Sequence, residues 1–323
     1  MARTRNGEMI LVYDQDRTIW VRHSRDDGKT WGAPIQVATW THGLLTNAEL
    51  LPLRSGALLC LYNARPDREA GHPFAICLAR SHDNGRTWQP PAPLYEAGNT
   101  FADGCWEPAA VELPGGEVQV FFANESPYRA SAEQEITLLR SRDGAARTWG
   151  HPETISFRAG SRDGMPVPVV LRGGRGIAVA LEDNGLSGNF KPVIVFTSLA
   201  DNWRSGPVSG QSPRRRGALR VPLAPGVYAG APCLRQMPGG ETLLSFQQSD
   251  GGDLKNAQMV VCVGDARARN FDNPSRPFPF TPGGAAAQLW NALFIKNRRT
   301  VCALSTTAIN GVRGVWSIDG RLV

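Results

Sequence analysis

Two short patterns recur along this 323-residue chain, and they limit its fold more than any other feature, because copies at a fixed period of tens of residues mean repeated supersecondary units. The first pattern is Ser24-Arg-Asp26-Asp-Gly28-Lys-Thr30-Trp31. It returns as Ser81-His-Asp83-Asn-Gly85-Arg-Thr87-Trp88 and, one residue longer, as Ser141-Arg-Asp143-Gly-Ala-Ala-Arg-Thr148-Trp149. Weaker copies run from Ser198 to Trp203 and from Gly264 to Phe271, which spaces the aromatic positions by 57, 61, 54 and 68 residues. The second pattern is a turn leading into a strand, beginning at Gly7, Gly56, Gly116, Gly176 and Gly240, with a sixth, weaker copy at Arg299–Ser305. Six copies imply six units. Each period holds four short strands with their turns, the size of one propeller blade, so the sequence predicts an all-β, six-bladed β-propeller that occupies residues 1–323 as a single domain.

Composition agrees with that reading. Gly and Pro together fill 59 of 323 positions (35 plus 24), and no window carries a long, capped, helix-period apolar run. The six cysteines show no C-x-x-C spacing and are expected as buried thiols, not as a zinc site. The net charge of +6 comes from scattered arginines, with one cluster at Arg214, Arg215 and Arg216. No aromatic residues interleave with that cluster, so it is read as a solvated loop and no nucleic-acid partner is expected. No stretch approaches the roughly 20 apolar residues of a membrane span. The start Met-Ala-Arg-Thr-Arg-Asn-Gly lacks the apolar segment of a secretion signal. No cofactor or metal is implied, and a monomer is expected.

The first pattern resembles the Asp-box, or BNR repeat, of sialidase-like propellers. Its physics is structural: the Asp side chain bonds the backbone of its own turn, Gly supplies a positive φ, and Trp packs between sheets. The box is expected on the hairpin between the third and fourth strands of a blade. In a propeller the start of the innermost strand and the end of the second strand lie at one rim, because neighbouring strands are antiparallel. The innermost strands would bring there Asn47 and Glu49, Trp106 and Glu107, Arg162 and Asp163, Tyr228, and Trp290 with Asn291. The second strands would add Asp14, Asn63, Asn124 with Glu125, Glu182 with Asp183, and Gln247 with Gln248. Carboxylates, amides and aromatic faces in one mouth suit an oligo- or polysaccharide, and two carboxylates can cleave a glycosidic bond. The bland alternative is a polar channel whose groups satisfy one another.

At Trp106-Glu107-Pro108, Asn124-Glu125, Ser161-Arg162-Asp163-Gly164-Met165-Pro166, Leu181-Glu182-Asp183 and Trp290-Asn291-Ala292-Leu293-Phe294 the chain resembles family 93 glycoside hydrolases. That resemblance spans essentially the whole chain. It implies a secreted, exo-acting, retaining α-L-arabinanase that releases arabinobiose from 1,5-linked arabinan, with Glu107 as acid/base and Glu182 as nucleophile. Glu125, at the same rim, is an alternative to Glu107. Arg162 or Asp163 would keep Glu182 ionised or bind sugar hydroxyls, unless they form a buried ion pair. A rival reading is an exo-sialidase, with Arg65, Arg162 and Arg235 as an arginine triad. It lacks an Arg-Ile-Pro sequence near the start and any tyrosine after Tyr228. A third reading is a non-catalytic propeller that binds a glycan or protein. The first blade departs from the pattern, since Gly7 leaves no room before it for an innermost strand. The segment Gly314–Val323 is a candidate to fill that place.

Overall fold

The computed structural model describes residues 1–68, 71–279 and 286–322, which pack as two compact units, Met1–Thr154 and Ile155–Val323. The first unit holds three antiparallel sheets. The first contains β1 (Ala2–Arg3), β2 (Met9–Gln15), β3 (Thr18–Ser24) and β4 (Ile35–Thr39), and the second contains β5 (Gly43–Pro52), β6 (Leu58–Pro66), β7 (Ala75–Ser81) and β8 (Ala92–Glu96). The third consists of β9 (Cys105–Glu112), β10 (Val118–Asn124), β11 (Glu135–Ser141) and β12 (Glu153–Ser156). In the second unit, one sheet has β13 (Asp163–Leu171), β14 (Gly176–Asp183), β15 (Lys191–Thr197) and β16 (Arg215–Gly217). Another has β17 (Tyr228–Gln236), β18 (Thr242–Ser249), β19 (Gln258–Gly264) and β20 (Asp272–Ser275). The last has β21 (Leu289–Ile295), β22 (Thr300–Ile309) and β23 (Val312–Arg321). Within every sheet the strands lie in chain order, so each is an up-and-down blade, and the six strand repeats have become six blades of a β-propeller.

Local chemistry explains the turns at one end of the blades. Between β1 and β2 the Gly7 N–H donates to the Thr4 carbonyl at 2.9 Å, and the Gly56, Gly116 and Gly240 N–H groups repeat that bond to Leu53, Leu113 and Met237. Between β3 and β4, Asp26 accepts from the Thr30 N–H at 2.9 Å and from its hydroxyl at 2.6 Å, while the Ser24 hydroxyl accepts from the Gly28 N–H at 2.8 Å. Asp83 and Asp143 make the same bonds to Thr87 and Thr148 between the third and fourth strands of their sheets. Gly85 is required twice over. Its φ is +86°, and a Cβ there would lie 2.7 Å from Ile10 Cδ1 in the first sheet.

The cores fill the spaces between neighbouring sheets. Ile10, Ile19 and Val21 pack with Leu58, Cys60 and Tyr62, and Trp88 packs against them. In the second unit, Ala180 and Ile194 meet Leu244, Phe246 and Phe271, and Cys233, Met259 and Leu293 form a further cluster. The cysteines are unpaired thiols, and burial pushes the Cys60 and Cys105 thiols up.

Three sequence expectations change. The first blade does have an innermost strand: β1 pairs Ala2 with Ile10 and Arg3 with Met9, two residues against the seven of β2. The C-terminal segment is the outer strand of the sixth blade, paired with β22 from Thr300–Arg321 to Ile309–Val312, and its final residue Val323 lies outside the described residues. The reason is the turn Asn310-Gly311, with φ of +50° and +77°, an Asn-Gly pair suited to a two-residue hairpin. Arg214–Arg216 is not a solvated loop. Arg215 begins β16, which pairs with β15, and its side chain is buried.

Candidate functional site

At the end of the blades opposite the Ser-x-Asp turns, the innermost strands share one irregularity. Each of β5, β9, β13, β17 and β21 has a bulge in which two residues face one on the second strand. The first bulged residue has a positive φ in every case: Asn47 (+54°), Glu107 (+48°), Met165 (+49°), Ala231 (+49°) and Trp290 (+53°). Left-handed backbone costs a residue with a Cβ about 1–2 kcal/mol, and in three of the five a proline follows. Bulges bend a strand and re-aim a side chain. Repeated strain of this kind at one end of the blades marks that end as a place where side-chain direction matters.

In the first unit the bulges gather a polar cluster. Arg65, on β6, donates to Asn63 Oδ1 at 2.7 Å, to Asn47 Oδ1, and to Glu107 Oε1 at 3.3 Å, and its guanidinium lies 4.9 Å from the Trp106 ring centroid. Burial lowers the Arg65 pKa, and the nearby Glu107 and Asp14 carboxylates oppose that shift. The Glu107 side chain keeps 20% of its surface exposed. Glu49 is half-buried on β5 opposite Leu61. Asn63 is fully buried and donates to the Ala75 and Cys105 carbonyls at 3.1 and 2.8 Å, so it joins its blade to β9 of the next.

Trp106 and Glu125 depart from their expected roles. Trp106 is buried, with Arg65, Phe74 and Phe101 packed on its ring, and its indole N–H donates to Glu125 Oε1 at 2.9 Å. A covered ring is no open platform for a sugar. Glu125, 5% exposed, also accepts from Gln134 at 3.3 Å and serves to orient Trp106, which separates it from the better exposed Glu107.

In the second unit, Glu182 lies opposite Gly164, at the same register as Asn63 in its blade and Gln247 in the next. Its Oε2 accepts from the N–H of the bulge residue Ala231 at 2.8 Å. Gln247 is fully buried, accepts from the N–H of the bulge residue Trp290 at 3.0 Å, and donates to the Tyr228 hydroxyl at 3.0 Å. Asn63, Glu182 and Gln247 thus perform one task, joining a second strand to the innermost strand of the following blade. Glu182 Oε2 and the Tyr228 hydroxyl converge on Gly230, where any Cβ would collide with both. Trp290 presents its side chain outward, 53% exposed.

Asp163 and Asn291 are buried. Asp163 and Asp183 face each other across the β13–β14 ladder and are fully buried, an arrangement of like charges that needs a cation. Arg215 supplies it: Nη1 donates to Asp163 at 2.9 Å and Asp183 at 2.6 Å, and Nη2 donates to Asp163 and to the Ser156 hydroxyl. Arg158 donates to Asp183 at 2.9 Å, which balances two carboxylates with two guanidiniums. Burial raises the Asp163 pKa against the pull of Arg215, and the Asp163 and Asp183 carboxylates hold the guanidinium above its usual range despite its own burial. Asp163 is therefore a structural group. The buried ion pair anticipated for Arg162 belongs to Arg215, which the sequence reading had placed in solvent. Arg162 is half-buried, its backbone bonded to Asn184. Asn291 is buried and donates to the Gln288 carbonyl at 3.2 Å.

The sequence reading missed the bulges. The signal was present as Glu107-Pro108, Met165-Pro166 and Ala231-Pro232, since proline inside a strand-like run marks an edge strand or a bulge. Among the described residues no group of three or more His, Cys, Asp or Glu side chains is placed to hold a metal ion.

No family model matches the chain, and none of the curated proteins matches it in sequence. Solved structures do match in fold. A protein of unknown function from Dyadobacter fermentans superposes with a TM-score of 0.73 at 17% identity, covering 98% of this chain and 92% of that one. The α-L-arabinofuranosidase of Fusarium graminearum bound to an iminosugar inhibitor gives 0.70 at 16% identity, with 99% and 91% covered. The α-L-arabinanase of Penicillium chrysogenum, complexed with arabinobiose, gives 0.69 at 17%, with 98% and 91% covered. A Hadza microbial sialidase gives 0.62 at 15% identity, over 94% of this chain and 61% of that one. The fold is a six-bladed propeller shared with these arabinan-cleaving enzymes and with the sialidase.

Proposed function

We propose that this protein is a retaining glycoside hydrolase that acts from the chain end on 1,5-linked α-L-arabinan and releases arabinobiose, with Glu107 and Glu182 as its two catalytic carboxylates. One observation carries the reading. The blades act as internal controls for one another, and Glu107 is the exception among the bulges. Of the five first bulge residues only Glu107 is ionisable, and of the described second-strand residues that bond the innermost strand of the following blade, Asn63 and Gln247 are amides whereas Asp14, bonded to Thr46, and Glu182 are carboxylates. A carbonyl oxygen of an amide can accept the Ala231 N–H as Glu182 does, so joining blades does not require the charge. The likeness to an arabinanase complexed with arabinobiose supports the choice of sugar.

Double displacement uses two carboxylates about 5–5.5 Å apart. Glu182 attacks the anomeric carbon and the glycosidic C–O bond breaks as Glu107 gives its proton to the leaving oxygen. Water then loses a proton to Glu107, attacks the same carbon and releases Glu182. The Ala231 N–H, bonded to Oε2, favours the ionised form of a nucleophile. Arg65, itself held by Asn47, fixes the direction of Glu107, and Tyr228, held by Gln247, lies beside Glu182 to meet sugar hydroxyls.

A sialidase is the second reading, and the convergence of the Tyr228 hydroxyl and Glu182 on Gly230 favours it, because sialidases employ a tyrosine nucleophile activated by a glutamate. Against it, Arg65 is engaged by Asn47, Asn63 and Glu107, and Arg235 donates to the Leu234 carbonyl. The test is hydrolysis of linear 1,5-α-L-arabinan and of a fluorogenic sialoside by the wild type, Glu107→Gln, Glu182→Gln and Tyr228→Phe. Arabinobiose release that falls by about 10²–10⁴ in both glutamine variants and by about tenfold or less in Tyr228→Phe supports the arabinanase. Sialoside cleavage abolished by Tyr228→Phe transfers the assignment to the second reading, and no cleavage of either substrate rejects both.

A further inference from the structure

With Trp106 covered, the exposed aromatic beside it is one that neither repeat marks. Phe101 is 54% exposed, and its ring stacks on Trp106 at 5.6 Å with an interplanar angle of 25°. Phe74 meets both rings edge-on at 5.1 and 4.9 Å. A single exposed phenyl ring needs no explanation by itself. This one sits on a tied segment, residues 97–104. The Gly98 N–H donates to the Asp103 carbonyl at 2.8 Å, and the Asp103 carboxylate accepts from the Thr100 N–H at 2.9 Å and hydroxyl at 2.6 Å. The Gly104 carbonyl accepts from the Glu125 N–H at 3.0 Å, and Ala97 and Gly98 pair with the backbone of Phe74. The ring is therefore oriented before anything binds, and little conformational freedom is left to lose on binding.

A second aromatic group lies on the same segment as Phe74. His72, two residues earlier, packs on His42 at 4.5 Å, and Trp40 stands edge-on to both at 5.7 and 6.2 Å. Both groups flank the strand ends that carry Asn47, Arg65 and Glu107. Arg17 is matched by Asp67 at 2.7 Å and Arg65 by Glu107, so neither of these guanidiniums is left to select an acidic sugar.

We propose that Phe101 and the Trp40–His42–His72 group are successive platforms for the rings of a neutral oligosaccharide leading to Glu107. This deepens the hydrolase reading and rests on it for the sugar. A sugar ring offers a flat C–H face to an aromatic ring and hydroxyls to polar edges such as imidazole, and Phe101 continues into the catalytic cluster through Trp106, the neighbour of Glu107 in sequence.

The test is calorimetric titration of arabinotriose and arabinohexaose, with xylo- and galacto-oligosaccharides alongside, into Glu182→Gln and into that variant combined with changes at the platforms. Phe101→Ala should weaken binding by about 3- to 10-fold at both lengths, Phe101→Leu nearly as much, and Phe101→Tyr should restore it. The His42→Ala/His72→Ala pair should weaken the hexaose alone. Unchanged affinity in Phe101→Ala, or no neutral oligosaccharide bound by the folded protein, overturns the platforms. A glycan bound through Phe101 but never cleaved by the wild type rejects the hydrolase and leaves the platforms standing. Arabinan cleavage with an unchanged KM in Phe101→Ala does the reverse.

Discussion

The two ends of the blades hold themselves together in different ways. At the turn end, Asp26, Asp83 and Asp143 bond groups four or five residues away in sequence, and the same side chains recur from blade to blade. At the bulge end, the corresponding positions carry Asn47, Glu107, Met165, Ala231 and Trp290, five different chemistries on one backbone conformation. Repetition of residue type goes with a structural task that every blade must perform alike. Repetition of backbone with varied residues leaves side chains to be assigned blade by blade, and it is at that end of the blades that Glu107 and, on a second strand, Glu182 occur.

Glutamine at Glu107 and Glu182 tests this contrast most strongly: arabinan cleavage should fall by about 10²–10⁴ while the urea midpoint stays that of the wild type. Unfolding of Glu182→Gln would mean that the charge itself joins the blades. Arg215→Met should have the largest effect on stability, about 3–5 kcal/mol, because it leaves Asp163 and Asp183 buried without their main cation. Asn63→Asp should cost about 2–3 kcal/mol in the same denaturation, since a carboxylate cannot donate to the Ala75 and Cys105 carbonyls. Glu182→Gln and Asn63→Asp exchange the same two functional groups at equivalent positions, so opposite outcomes would establish that the joining bond needs an amide in one blade and tolerates it in another.

At the turn end the expected effects are smaller and depend on pH. Against the upward push of burial, bonds from Thr87 and Ser81 hold the Asp83 pKa at about 2, below the roughly 3.9 of an unfolded chain. A depressed carboxylate contributes stability that is present above the unfolded pKa and lost as pH falls through the folded one. Asp83→Ala should thus destabilise by about 1 kcal/mol at pH 7, and the difference from wild type should vanish between about pH 4 and 2. Equilibrium denaturation across that range checks it, with arabinan cleavage at pH 7 unchanged.

Much of the molecule could be read from the sequence because its governing interactions are short. The six strand repeats, five of them led by Gly, became six blades, and the antiparallel rule placed Asn47 beside Asn63, and Asp163 beside Asp183, at one set of strand ends. Errors arose where a side chain's fate depended on distant partners. Trp106 looked like a sugar platform until Arg65, from another blade, covered it. Arg215 looked solvated because its carboxylates lie 32 and 52 residues away.

The sequence by itself determined the number of blades, the strand order in all but the first and last of them, and the turns, because a hairpin and a Ser-x-Asp turn close over a few residues and need no other part of the chain. Only tertiary structure decided which carboxylates keep an exposed face and which are consumed in the interior. Glu107 and Glu125, or Glu182 and Asp183, are nearly alike in sequence context. What separates them is the partner each meets across strands and blades: an edge-strand bulge for Glu107, an indole N–H for Glu125, a backbone N–H for Glu182, and a pair of guanidiniums for Asp183.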